Sequence, residues 1–147
     1  MVYVGSSERL EVEVFDHGGR LIRVQRGPDT DLIIDDSFLS GYRAATMSRP
    51  DSLMRNRLID NDLPMPARLP AYTEFIVDPQ GNLWVERFRT PWAGSNRWGV
   101  FSEGGDFYGH VEMPEDFQLM YVGNDHVVGV TRDEFDVERV ELYGLTR

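Results

Sequence analysis

Two hexapeptides of this chain repeat each other. Val14-Phe15-Asp16-His17-Gly18-Gly19 matches Val100-Phe101-Ser102-Glu103-Gly104-Gly105, 86 residues later. Each is the end of an apolar strand running into a glycine turn, and that texture limits the chain to β-hairpin architecture. Leu10, Val12 and Val14 alternate with Glu11 and Glu13, the period of two expected of a half-buried strand. Asp16 to Gly19 supplies turn residues, and Leu21-Ile22-Arg23-Val24 returns. Thr73 to Val77 leads through Asp78-Pro79-Gln80-Gly81-Asn82 into Leu83-Trp84-Val85. There Pro presets the turn dihedral and Gly supplies a positive φ. Trp98 to Phe101 and Phe107 to Val111 flank the second copy of the repeat as a third hairpin. Phe117–Val122, Val127–Thr131 and Val137–Tyr143 complete the expected strands.

The stretch 27–72 has a different character. Asp35 and Asp36 precede Phe38, Leu39, Tyr42 and Ala45, a helical spacing with an acidic start. Ser48-Arg49-Pro50-Asp51 reads as a second helix start, with Leu53, Met54 and Leu58 as its apolar face. Pro64, Pro66 and Pro70 make 63–70 extended and irregular.

Shorter offsets accompany the long one. Val100-Phe101 matches Leu142-Tyr143 at 42 residues, and Leu83-Trp84-Val85 matches His126-Val127-Val128 at 43. A β repeat of about 40–50 residues fits the four-stranded blade of a β-propeller. The offset of 86 is then one blade plus an insertion. The chain resembles the C-terminal part of bacterial six-bladed β-propeller proteins of the NHL-repeat group. The resemblance is carried by Phe75-Ile76-Val77-Asp78, Gly81-Asn82-Leu83-Trp84-Val85, Trp98, Val100-Phe101, Gly105, Met113-Pro114 and Val140-Glu141-Leu142-Tyr143 with Leu145.

The expectation is an all-β fold with a small helical insertion, about two and a half antiparallel blades in one domain. Residues 1–26 form a partial blade, 27–72 the insertion, 73–115 a full blade and 116–147 an incomplete last blade. A β-sandwich or barrel with a helical cap is the alternative. A six-bladed propeller needs about 250 residues, so 147 residues make an open arc. Such an arc leaves apolar faces and strand edges uncovered. It therefore implies self-association or the remainder of a longer chain, with Met1 then an internal residue.

Composition removes whole chemistries. All 15 basic residues are Arg, against 25 acidic residues, for a net charge of −10. Without Lys there is no Walker A loop and no Schiff base. Without Cys there is no disulfide, thiolate nucleophile or Cys-ligated metal. The acidic balance argues against nucleic acid. No apolar run is long enough to span a bilayer. No signal peptide is apparent at Met1, although a parent truncated at its N-terminus would allow export.

Three segments are candidates for a ligand face: the insertion 27–72, loop 86–97 and loop 131–138. In loop 86–97, Arg87, Arg89 and Arg97 stand beside Trp92 and Asn96. Arg forks next to an aromatic ring suit a carboxylate, a phosphate or a peptide. The competing reading pairs these Arg with nearby acids and packs Trp92 under the loop. Asp133 and Asp136, with Glu134 and Glu138, offer oxygen ligands for Ca²⁺. Phe135 interrupts that cluster, and the competing reading is a solvated acidic loop or an ion-pair partner of loop 86–97. His17, His110 and His126 share no metal-ligand spacing, and no serine sits in a nucleophile elbow. Trp84 and Trp98 read as blade core, and Asp78 as a residue bonding its own turn.

These features imply a non-enzymatic binding or scaffold segment whose partner is a protein, peptide or small molecule. One alternative is a fragment of a metal-dependent propeller hydrolase, lactonase or lyase, drawing on Asp78, Asn82, Asn124 and Asp125. The other is a truncated product with no function of its own.

Overall fold

Alternating apolar residues pair as the sequence predicts. The computed structural model describes residues 1–28, 32–48, 66–90, 92, 94 and 96–146. Its strands are β1 (Val2–Gly5), β2 (Glu11–Phe15), β3 (Leu21–Arg26), β4 (Tyr72–Val77), β5 (Leu83–Arg87), β6 (Asn96–Phe101), β7 (Phe107–Met113), β8 (Gln118–Val122), β9 (His126–Arg132) and β10 (Glu138–Gly144). They form three antiparallel meanders in chain order: a three-stranded β1-β2-β3 sheet, a four-stranded β4-β5-β6-β7 sheet and a three-stranded β8-β9-β10 sheet. These are called sheets 1, 2 and 3 below. None closes on itself, so the barrel alternative is not met.

Between β3 and β4 lies helix α1 (Asp36–Met47). Asp35 caps it, its carboxylate accepting from the Phe38 N–H at 2.7 Å. That satisfies one of the free N–H groups at a helix start, and Asp36 adds favourable charge in the first turn. The expected second helix from Ser48 to Leu58 falls mostly outside the described residues. Of the proline stretch 63–70, residues 66–70 are described. They run beside 32–34, with Leu69 N–H donating to Leu32 C=O at 2.7 Å.

One turn design recurs four times, at 16–20, 78–82, 102–106 and 133–137. In each, the first residue's N–H donates to the fifth residue's C=O, at 3.0, 3.0, 2.8 and 3.2 Å respectively. The first side chain also accepts the fifth N–H: Asp16 from Arg20, Asp78 from Asn82, Ser102 from Asp106, Asp133 from Val137. The fourth residue is left-handed, with φ of +79° at Gly19, +81° at Gly81, +101° at Gly105 and +61° at Asp136. Glycine holds three of these positions because it meets no Cβ clash there, and Asp is among the few residues that tolerate the fourth. The repeated Asp/Ser-x-x-Gly text is therefore the covalent code for a three-residue hairpin loop.

Sheet 2 lies between the other two. Leu83, Val85 and Phe101 pack with Leu10, Val12 and Tyr3 on the sheet 1 side. Trp84, Trp98 and Val100 pack with Phe117, Leu119, Val122 and Val127 on the sheet 3 side. Consecutive β5 residues thus face opposite cores, as a pleated strand requires, and burying each large apolar side chain contributes about 1.5–3 kcal/mol. Trp84 and Trp98 are core, as expected.

Facing also fixes the repeat register. The β1–β2 pairs Val2↔Phe15 and Val4↔Glu13 superpose on the β5–β6 pairs Leu83↔Phe101 and Val85↔Gly99. The 86-residue offset therefore preserves facing. So does the 42-residue offset, since Leu142↔Val128 matches Val100↔Trp84. The 43-residue match of Leu83-Trp84-Val85 with His126-Val127-Val128 does not. It equates Trp84, which faces sheet 3, with Val127, which faces back to sheet 2. The structural counterpart of Val127 is Leu83, an offset of 44. A slip of one residue exchanges the two faces of a strand, and the sequence match had that slip.

Asp78 does more than shape its turn. Its second oxygen accepts from Asn82 Nδ2 at 2.8 Å and from Trp84 Nε1 at 3.1 Å. Replacing Asp78 with Ala strands a buried indole N–H and two turn amides. Urea unfolding followed by tryptophan fluorescence should register a loss of about 2–3 kcal/mol. A loss below about 1 kcal/mol would show that water replaces these bonds freely.

Candidate functional site

The connections between strands meet along one rim. Ala71 N–H donates to Ser7 C=O at 2.6 Å, tying the end of the insertion to the β1–β2 connection. Phe88 N–H donates to Ala71 C=O at 3.3 Å, which adds the β5–β6 loop. The Arg89 guanidinium donates to Glu115 C=O at 2.7 Å, which adds the β7–β8 connection. Trp92 packs on Phe38 of α1, ring centroids 5.3 Å apart. A Cβ on Gly41 would stand 2.8 Å from the Trp92 ring, so the glycine is what lets helix and loop touch. The insertion and loop 86–97 thus share one surface.

Each predicted site residue has a definite place on or near this rim. Arg89 and Trp92 lie on it, Trp92 with 43% of its surface exposed. Arg97 pairs with Glu112 at 2.6 Å, both side chains about half exposed, a geometry of modest energetic value. Arg87 ends β5 on the face of sheet 2 that carries Arg97 and His110. Burial, and then the like charge of Arg97, hold the Arg87 guanidinium below its usual range. Burial, then Arg87, then Arg97, likewise hold the His110 imidazole below its usual value. Asn96 differs from the others. It is buried, and its Nδ2 donates to Phe117 C=O at 2.9 Å, fastening β6 to the start of sheet 3.

The acidic loop is built as a turn. Asp133 accepts the Phe135 and Val137 amides at 3.0 and 3.1 Å and receives Arg139 at 3.1 Å. Asp136 accepts Arg132 at 2.9 Å, and Glu138 accepts the same guanidinium at 2.6 Å. These partners come from 132–139 itself rather than from loop 86–97. Among the described residues, no three His, Asp or Glu side chains are grouped to hold a metal ion.

Cavities escaped the sequence, and two of them are candidate clefts for a ligand. One, of about 350 Å³, is lined by Glu8, Arg9, Leu10, Leu32, Arg68 and Ala71. It opens on the rim where the β1–β2 connection meets the insertion. Arg9 was legible in principle, because the β1–β2 connection occupies the same place in its sheet as loop 86–97 does in sheet 2. Arg68 was not, since the fold alone brings it there through its bridge to Ile33. The other, of about 660 Å³, has Trp84, Val100, Val111 and Leu145 in its wall, with Asp78, Gln80, Asn82 and Tyr108 among its polar residues. It lies where the four strands of sheet 2 outnumber the three of sheet 3. Its one carboxylate, Asp78, already accepts four hydrogen bonds from its own hairpin.

These placements separate two kinds of residue. Asn96→Ala should destabilise the chain by about 1–3 kcal/mol, because it strands a buried carbonyl. Arg89→Ala should stay within about 0.5 kcal/mol of the parent in the same thermal melt. His110 should titrate below its usual 6.5 by NMR, and Arg97→Ala should move its midpoint upward. The unfolded chain then binds this proton more readily. The His110 contribution to stability is intact above about pH 6.5 and declines as the pH falls through that value.

Comparison with protein-family models, with curated proteins and with solved structures yields no match, so the chemistry of this rim is the ground on which a function rests.

Proposed function

We propose that the chain is an arc of a β-propeller acting as a non-enzymatic binding scaffold. Its ligand is an acidic peptide segment or small anion, held at the mouth of loop 86–97. The observation that carries this reading is a local excess of cations in a chain of net charge −10. Arg87 and Arg97 share one face of sheet 2 with His110, whose imidazole is held below its usual value by burial and by both guanidinium groups, against the opposing pull of Glu112. Burial and the like charge of Arg97 disfavour the charge on Arg87, and an anion docking between the two guanidinium groups offsets that repulsion. Arg89 and Trp92 belong to the same loop, a guanidinium and an aromatic surface for the rest of the ligand.

The blade reading draws support from three observations. The sheets are consecutive meanders, the middle one is buried on both faces, and the 86- and 42-residue repeats keep side chains facing alike. The binding reading, rather than a catalytic one, draws support from Asp78, whose carboxylate is consumed by its own hairpin.

A fluorescein-labelled hexaglutamate peptide, followed by anisotropy at low salt, tests the reading. The parent should bind it in preference to a hexa-arginine peptide despite its own negative charge. Arg87→Ala/Arg97→Ala should weaken binding about 10-fold or more. Equal affinity in parent and variant, or no preference for the acidic peptide, would remove this assignment.

A further inference from the structure

Among the described residues, the two outer sheets of the stack each turn a face outward, and each face carries apolar residues at positions that are buried within the stack. The outward face of sheet 1 holds Val2, Val4 and Phe15, with Glu13 opposite Val4 where sheet 2 has Gly99. By strand pairing these occupy the positions of Leu83, Val85 and Phe101 in sheet 2, which are 0%, 1% and 1% exposed. Val2 and Val4 are instead about half exposed. The outward face of sheet 3 holds Val128, Val140 and Leu142. These occupy the positions of Trp84, Trp98 and Val100, all buried against sheet 3. Val140 is 77% exposed and Leu142 65%.

The two faces are of opposite kinds. Sheet 3 ends the stack with the face that sheet 2 turns toward sheet 3. Sheet 1 ends it with the face that sheet 2 turns toward sheet 1. The molecule therefore carries both halves of the contact it already makes twice internally. We propose that a second copy of this chain covers both ends, head to tail. The Val128–Val140–Leu142 face of each copy seats on the Val2–Val4–Phe15 face of the other. Both contacts are heterologous and are related by one two-fold axis, so the assembly closes as a dimer. It contains six sheets, within the usual range of about four to eight for a closed ring of blades. The contact is made by β1 and β2 against β9 and β10, the strands that both terminal sheets possess. This inference rests on the blade reading of the sheets, and it is independent of the ligand assigned to loop 86–97.

The test is the mass of the full chain in solution, measured by light scattering after size exclusion at about 50 µM. This concentration lies above the dissociation constants common for stable dimers. The parent should run at twice the chain mass. Val2→Arg and Val140→Arg alter exposed side chains, so circular dichroism should be unchanged. Each buries an unpaired guanidinium at one half of the contact and should raise the dissociation constant on the order of 100-fold. An equimolar mixture of the two should recover dimer, because one intact contact forms between an unaltered head and an unaltered tail. Dissociation by only one of the two variants indicates a face pairing with itself and overturns the proposal. A monomeric parent overturns it too, and amide exchange on that sample separates the two readings. Protected β5 and β6 amides in a monomer leave the stacked sheets standing and remove only the dimer. Unprotected ones remove both.

Discussion

Sheet 2 is held by side chains that leave one strand in opposite directions. Leu83 and Val85 enter the core shared with sheet 1, and Trp84 between them enters the core shared with sheet 3. A three-residue run thus ties together both hydrophobic clusters. Everything else in the described structure follows from keeping that alternation intact. The hairpin at 78–82 sets the register of β4 on β5, and its Asp78 also anchors the Trp84 indole. Gln25 does comparable work from the other side, reaching from β3 to the Ser102 carbonyl at 3.0 Å. Both bonds place a polar group where an apolar sheet face meets a turn, and such buried bonds are costly to break.

The sequence was most readable where local chemistry decides the outcome. The Asp-x-x-Gly and Ser-x-x-Gly texts predict hairpins because a side-chain acceptor and a left-handed fourth residue suffice to close the loop. Asp35 and Asp36 announce α1 for the same reason, since a cap acts within one turn of its own residue. Reading fails where the decision is non-local. Asn96 looks like a ligand-facing loop residue, yet strand alternation and sheet 3 bury it against Phe117. Arg68 is silent in the sequence and lines a cavity only because 66–71 folds back beside 32–34. The 43-residue match failed for a third reason. Hydrophobicity alone does not distinguish the two faces of a strand buried on both sides, so a match can slip by one without penalty.

The acidic loop shows how a turn and a metal site can share one composition. Asp133, Glu134, Asp136 and Glu138 present the oxygen atoms that calcium uses. In the fold, Asp133 is spent on two amides and on Arg139, and Asp136 and Glu138 on Arg132. Asp136 also holds the left-handed position that glycine fills in the other three turns of this design. The carboxylate count therefore reflects a β-hairpin whose arginine partners are supplied in cis.

Cations in a strongly acidic chain carry more information than acids do. A surface Asp or Glu here adds to a field already negative, and most of its effect is screened within about 8 Å at physiological salt. Arg87 and Arg97 run against that field, Arg87 also against its own partial burial. Glu112 pairs with Arg97, and burial and then the like charge of Arg97 hold the Arg87 guanidinium below its usual range. Both guanidinium groups stand at the ends of the loop that also presents Arg89 and Trp92. On the proposed reading, an anion docking there offsets the repulsion of Arg87 by Arg97 and adds its own hydrogen bonds. The larger cleft beside Trp84 has no such imbalance, since its single carboxylate is already saturated. Cavity volume favours the cleft and the local run of arginines favours the loop, and the proposed function rests on the arginines.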